Sequence, residues 1–164
     1  MTTHAESTAL VEDGLAGVKI GDELPPISHL ITQELIDRYA AASLDFNPVH
    51  IDPDWSRRAR VFGRPVPVLH GMAQMSWLCS LVLREWGATT EIFAIDGKFT
   101  KPMFLGDTIT CSGIVTELHP LGPGRDYVVI AATAHNGDGE IVGVSTLSVR
   151  TPPIPPPHQA EGDR

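Results

Sequence analysis

Two stretches of this chain repeat their apolar residues with a helical period. Leu35, Ile36, Tyr39, Ala40 and Ala42 fall on one helical face. Thr32 is a residue type that caps helix starts, and Glu34 sits in the first turn, where negative charge suits the helix dipole. This first helix is expected to end near Ser43. In the second stretch, Gly71 to Trp86, only Gln74, Ser76, Ser80, Arg84 and Glu85 are polar. Met72, Met75, Leu78, Cys79, Val82 and Leu83 share one side, while Trp77, Leu81 and Trp86 cover others. A helix this apolar all round is wrapped by other structure. Gly87 suits its C-terminal stop.

Elsewhere the pattern is that of strands. Pro25-Pro26 blocks helix, and Ile27 to Ile31 reads as a short strand. Ile92 to Phe99, Thr108 to Leu118, Asp126 to His135 and Glu140 to Val149 follow. Ile109, Cys111, Gly113 and Val115 alternate along the second of these, and Tyr127, Val129 and Ala131 along the third. Gly106-Asp107, the Gly122 to Gly124 turn and Asn136-Gly-Asp-Gly139 separate them, the last a strong hairpin signal. One long buried helix against a curled antiparallel sheet is an α+β arrangement.

Between the two helices lies Asp45-Phe46-Asn47-Pro48-Val49-His50. A helix cannot pass through Pro48 without losing a hydrogen bond, and Asn47 is pushed extended by the proline after it. Asp45 to Asp52 is therefore expected to be a tight irregular loop. Such a loop can aim a carboxylate and an imidazole the same way, which a helix does poorly at a spacing of five. Asp52-Pro53 reads as N-cap and first residue of a short helix through Ala59. Val61 to Leu69, with Gly63, Pro65 and Pro67, should be extended and irregular.

Composition narrows the field. The 164 residues fit one domain. The expected divisions are an acidic disordered tail over residues 1–17, a single domain over 18–150 and a proline-rich disordered tail over 151–164. The net charge of −8 argues against a nucleic-acid partner, which needs a basic footprint. Half of that charge is in the tails, where Glu6, Glu12, Asp13, Glu161 and Asp163 stand against Arg164. Cys79 and Cys111 lack metal-ligand spacing and read as free thiols of a reducing cytoplasm. No apolar run approaches a membrane span, and the first residues lack a signal-peptide pattern.

The motif Asp45-x-Asn47-Pro48-x-His50, with His70-Gly71-Met72 twenty residues on, resembles the MaoC-like, or (R)-specific, enoyl-thioester hydratases. Lys98-Phe99-Thr-Lys-Pro102 and Gly106-Asp107 are similar to that family's sheet, and the resemblance covers roughly residues 20–150. It implies the hot-dog fold, a curved antiparallel sheet wrapped around a central helix near residues 71–86. It further implies a homodimer and a substrate thioester on coenzyme A or an acyl carrier protein, with no other cofactor. Compared with the family, the stretch between Phe62 and His70 is about two residues longer. Some members carry a serine where this helix has Cys79.

Following the family, His50 activates water, Asp45 positions it and delivers a proton to C2, and the Gly71 N–H receives the thioester oxygen. Asn47 and Ser76 are supporting candidates, Asn47 equally a turn former. His70 reads as a loop anchor. Arg57, Arg58, Arg60 and Arg64 cluster within eight positions of an acidic chain. They suit carrier phosphates or a solvated basic face alike, as do Lys98 and Lys101. Asp45, His50, Asp52 and His70 are metal-ligand types, but their spacing matches no closed metal site, and no metal is expected. Two rival functions share this fold. Thioesterases of this fold often place a carboxylate on the central helix, which here has none before Glu85. A non-catalytic partner subunit would not need the intact Asp45/His50 pair.

Overall fold

The computed structural model describes Leu15 and residues 17–150. Of the expected tails, only Leu15 and Gly17 fall within it. Leu15 is buried, and its N–H and C=O exchange hydrogen bonds with Val18, so the packed chain begins ahead of residue 18.

The elements are β1 (Glu23–Leu30), α1 (Gln33–Ser43), α2 (Pro48–Ile51), α3 (Pro53–Ala59), a 3-10 turn (Val61–Gly63) and α4 (Gly71–Trp86). β2 (Ile92–Phe99), β3 (Thr108–His119), β4 (Tyr127–Asn136) and β5 (Ile141–Arg150) complete the chain. The strands form one antiparallel sheet in the order β1-β3-β4-β5-β2. Turn signals account for the β3-β4-β5 meander. At its last turn the Asn136 side chain accepts from the N–H groups of Asp138 and Glu140. β1 and β2 take the two edges instead of following their neighbours in sequence.

β1 is longer than expected and includes Pro25 and Pro26. The register slips between Leu24 and Ile27, where the prolines lie. An edge strand tolerates residues that cannot donate to a ladder. On β3 the expected residues Ile109, Cys111, Gly113 and Val115 are all buried. On β4 the wholly buried set is instead Val128, Ile130, Ala132 and Ala134. Both of its faces are apolar, so the pattern alone left the face open.

α4 lies across the sheet and buries Ala73, Gln74, Met75, Leu78, Leu81 and Val82. Met72 and Leu83, expected on the buried side, are exposed. Ala42 of α1 is likewise exposed, while Ile36 and Ala40 of that helix are fully buried. The close approach of α4 depends on strand residues without side chains. A Cβ on Gly97 would strike Met75, one on Gly143 would strike Gln74, and one on Gly113 would crowd Ile130 at 3.3 Å. Among the described residues no helix is long and apolar enough to cross a membrane.

Candidate active site

The loop expected between Asp45 and Asp52 contains a helical turn. α1 ends at Ser43 with Leu44 left-handed, and Pro48 opens the next helix: it occupies the first position of α2, where its missing N–H costs nothing. Asn47 caps that turn by accepting from the Val49 N–H at 3.2 Å, so its role is structural. Asp52 caps α3 by accepting from the Trp55 N–H at 2.8 Å, as expected. Val61 to Leu69 is irregular apart from the Val61–Gly63 turn. Its last residues are pinned on both sides: Val68 N–H donates to Val49 O, Leu69 N–H to Met103 O, and Pro67 O accepts from Leu105 N–H.

This pinning sets the chemistry of His50. The Val68 carbonyl lies 2.7 Å from His50 Nδ1, and a carbonyl only accepts, so Nδ1 carries the proton. Nε2 therefore presents a lone pair. It faces Asp45 Oδ2 at 3.9 Å, too far for a direct hydrogen bond and suited to a bridging water. The His50 side chain is 14% exposed and that of Asp45 52% exposed.

His70 anchors the loop, as expected. Its Nε2 donates to the Asp45 carbonyl at 3.0 Å, and its ring stacks on His50 with centroids 3.7 Å apart. Burial holds its imidazole below the ordinary value, helped by His50 and opposed by the Asp45 hydrogen bond and carboxylate. With that ring turned toward Asp45, no side chain caps α4, and its first turn holds no acid. The Gly71 N–H is thus one of the helix's donors without an intrahelical acceptor. A Cβ at Gly71 would lie 3.0 Å from the Phe99 ring, so a side chain there would press that ring aside.

A cleft of ≈ 420 Å³ opens here, lined by His50, Phe62, Val68, Leu69, Gly71, Gln74 and the 99–103 segment. Asp45 is not part of its wall and meets it through His50. Of the cationic candidates only Lys101 lines the cleft, and it pairs with Glu140 at 2.6 Å. Arg64 Nη1 donates to both Asp107 oxygens, and the guanidinium lies over Phe104, so Arg64 braces the fold. Arg57 pairs with Asp54, whereas Arg58, Arg60 and Lys98 are exposed without ion pairs among the described residues. Ser76 donates back to Met72 O and does not line the cleft.

Asp45, His50 and His70 bring ligand-type atoms within 4.8 Å of one another. The two imidazoles are nearly parallel, at 22°, with centroids 3.7 Å apart, so lone pairs in the two ring planes do not converge on one point. That geometry suits proton handling better than ligation. The sequence reading missed the Val68 carbonyl, which no residue type advertises, and the cleft position of Gln74. A polar residue in the first turn of a mostly apolar helix was the available signal.

The family profile described as MaoC like domain matches residues 18–133. The chain belongs to the MaoC-like family. It is 35% identical over 81 residues to the (R)-specific enoyl-CoA hydratase of Aeromonas caviae, covering 49% of this chain and 58% of that protein. It is 29% identical over 116 residues to the probable enoyl-CoA hydratase 2 of Dictyostelium discoideum, covering 70% of this chain and 36% of the relative. This MaoC-like chain therefore matches less than two thirds of the length of either. It superposes on the solved (R)-hydratase of A. caviae involved in PHA biosynthesis with a TM-score of 0.73 at 25% identity, covering 82% of this chain and 98% of that one. On the unliganded R-hydratase PhaJ1 of Pseudomonas aeruginosa the TM-score is 0.75 at 24% identity, covering 84% of each. The sheet and α4 are those of a MaoC-like hot dog, the expected fold.

Proposed function

We infer that this protein is a hydratase that adds water to a trans-2-enoyl thioester with (R) stereochemistry and removes it in reverse. One observation carries the reading: the His50 Nε2 lone pair faces the Asp45 carboxylate across 3.9 Å, beside the uncapped start of α4. A water held between the two gives a proton to His50 as its oxygen bonds to C3. The C2=C3 electrons move toward the thioester oxygen, whose charge the Gly71 N–H receives. The proton taken by His50 reaches C2 by way of Asp45, so the pair ends as it began.

The substrate's carrier, coenzyme A or an acyl carrier protein, enters with the thioester, and this proton chemistry calls for no further cofactor. The family and the hydratase names of its relatives support this class of substrate. A cytoplasmic setting suits the free Cys79 and Cys111, the latter pushed up to about 12 by burial. A homodimer pairing through β2 suits that strand's open edge, where Phe93, Ile95 and Phe99 are exposed, because a bare apolar edge invites another strand.

The test is the loss of enoyl absorbance from trans-2-butenoyl-CoA. The expected product is (R)-3-hydroxybutyryl-CoA with no free thiol. Release of free coenzyme A without hydration would make the protein a thioesterase and overturn the reading.

A further inference from the structure

The proton chemistry does not use Gln74, a polar side chain of the cleft. Gln74 lies three residues after Gly71, on the same face of α4 and about 4.5 Å farther along it. It is 3% exposed, lines the cleft, and its Nε2 is buried without a hydrogen-bond partner among the described residues. Native folds seldom leave a buried amide unpaired, so such a group calls for an explanation. Val68, Leu69, Phe99 and Met103 line the same cleft and offer no polar side chain, while the cleft's other polar side chains, His50, Thr100 and Lys101, all have partners. β5 makes room for it: any side chain at Gly143 would collide with this carboxamide. Among the described residues no partner fixes the orientation of the amide, so either end can be turned to the cleft, to donate or accept there.

A thioester with its oxygen at Gly71 and its C3 at His50 leaves the amide, about 4.5 Å farther along the helix, for atoms beyond C3. We propose that Gln74 is a specificity residue whose carboxamide hydrogen-bonds an oxygen on the acyl chain. The preferred substrate is then an enoyl thioester bearing a hydroxyl or carbonyl group, over one with a plain alkyl chain. This rests on the hydratase reading. A site built to bond a polar group discriminates against the analogue that lacks it, because its own polar atom is left unpaired.

The experiment compares trans-2-hexenoyl-CoA with its analogues hydroxylated at C4, C5 or C6, using the wild-type protein and Gln74→Met. In the wild type, one hydroxylated member should exceed hexenoyl-CoA in kcat/KM by about tenfold or more. Gln74→Met should bring that ratio to within about twofold of unity. It should also leave the melting temperature equal or raised, because a purely structural glutamine would lower it when removed. Equal use of all members by the wild type, or a preference that survives Gln74→Met, overturns the proposal and leaves the hydratase reading standing. Failure to hydrate any member overturns both.

Discussion

The proposed role of His50 as base rests on its other nitrogen, which is already occupied. The Val68 carbonyl holds Nδ1–H, so the lone pair at Nε2 has a fixed direction. His70 is the companion case, with its free Nδ1 buried and unpartnered. Its pKa is lowered, so the unfolded chain takes up a proton first as pH falls. Its contribution to stability is complete above about pH 6.5 and is lost as pH drops through the folded value. His29, lowered by burial and by Arg84, acts with the same sign. Thermal unfolding should therefore show a flat midpoint from pH 8 to 7 and a falling one below 6. The fall should be shallower in His70→Gln; an unchanged slope in that variant would remove His70 from the account. Asp45 and His50 were legible in the sequence as candidates, and His70 as a loop anchor, because their residue types and motif stand out. The Val68 carbonyl was not, because every residue has one and only the fold aims it.

At the scale of elements, the site hangs on two capped turns and a helix start. α2 has four residues and no buried side chain, so its cap and its bonds to the 67–69 segment hold it. Asn47→Ala should lower stability by about 1 kcal/mol, as cap deletions do, and slow turnover by loosening His50. Asn47→Ser should restore most of both, measured by urea unfolding and the absorbance assay. Loss of neither in the alanine variant would contradict the cap's role. α4 is fixed by its buried face: Leu78 is fully buried, and Leu78→Ala should cost about 2–5 kcal/mol. The helices, their caps and the β3 face were readable from period and residue type. The α2 turn was misread because Pro48 was weighed only as a helix breaker, although proline equally opens a helix at its first position.

For the whole molecule, strand order was not legible. β2 lies beyond β5 because pairing across the sheet is decided by long-range packing under α4, which local pattern does not encode. Its open edge gives the assembly prediction. The wild-type protein should sediment as a dimer, and Ile95→Lys, on an exposed position of that strand, as a monomer. A dimer unaffected by the lysine would move the interface elsewhere. The turnover of the intact protein tests the central claim most directly, through hydration of trans-2-butenoyl-CoA by the wild type, Asp45→Ala, His50→Ala and the double variant. Each single change should cost at least ~10²-fold in kcat with the melting temperature little altered. The double variant should be little worse than either alone, because the two side chains act on one proton as a unit. Wild-type rates in either single variant would contradict the claim.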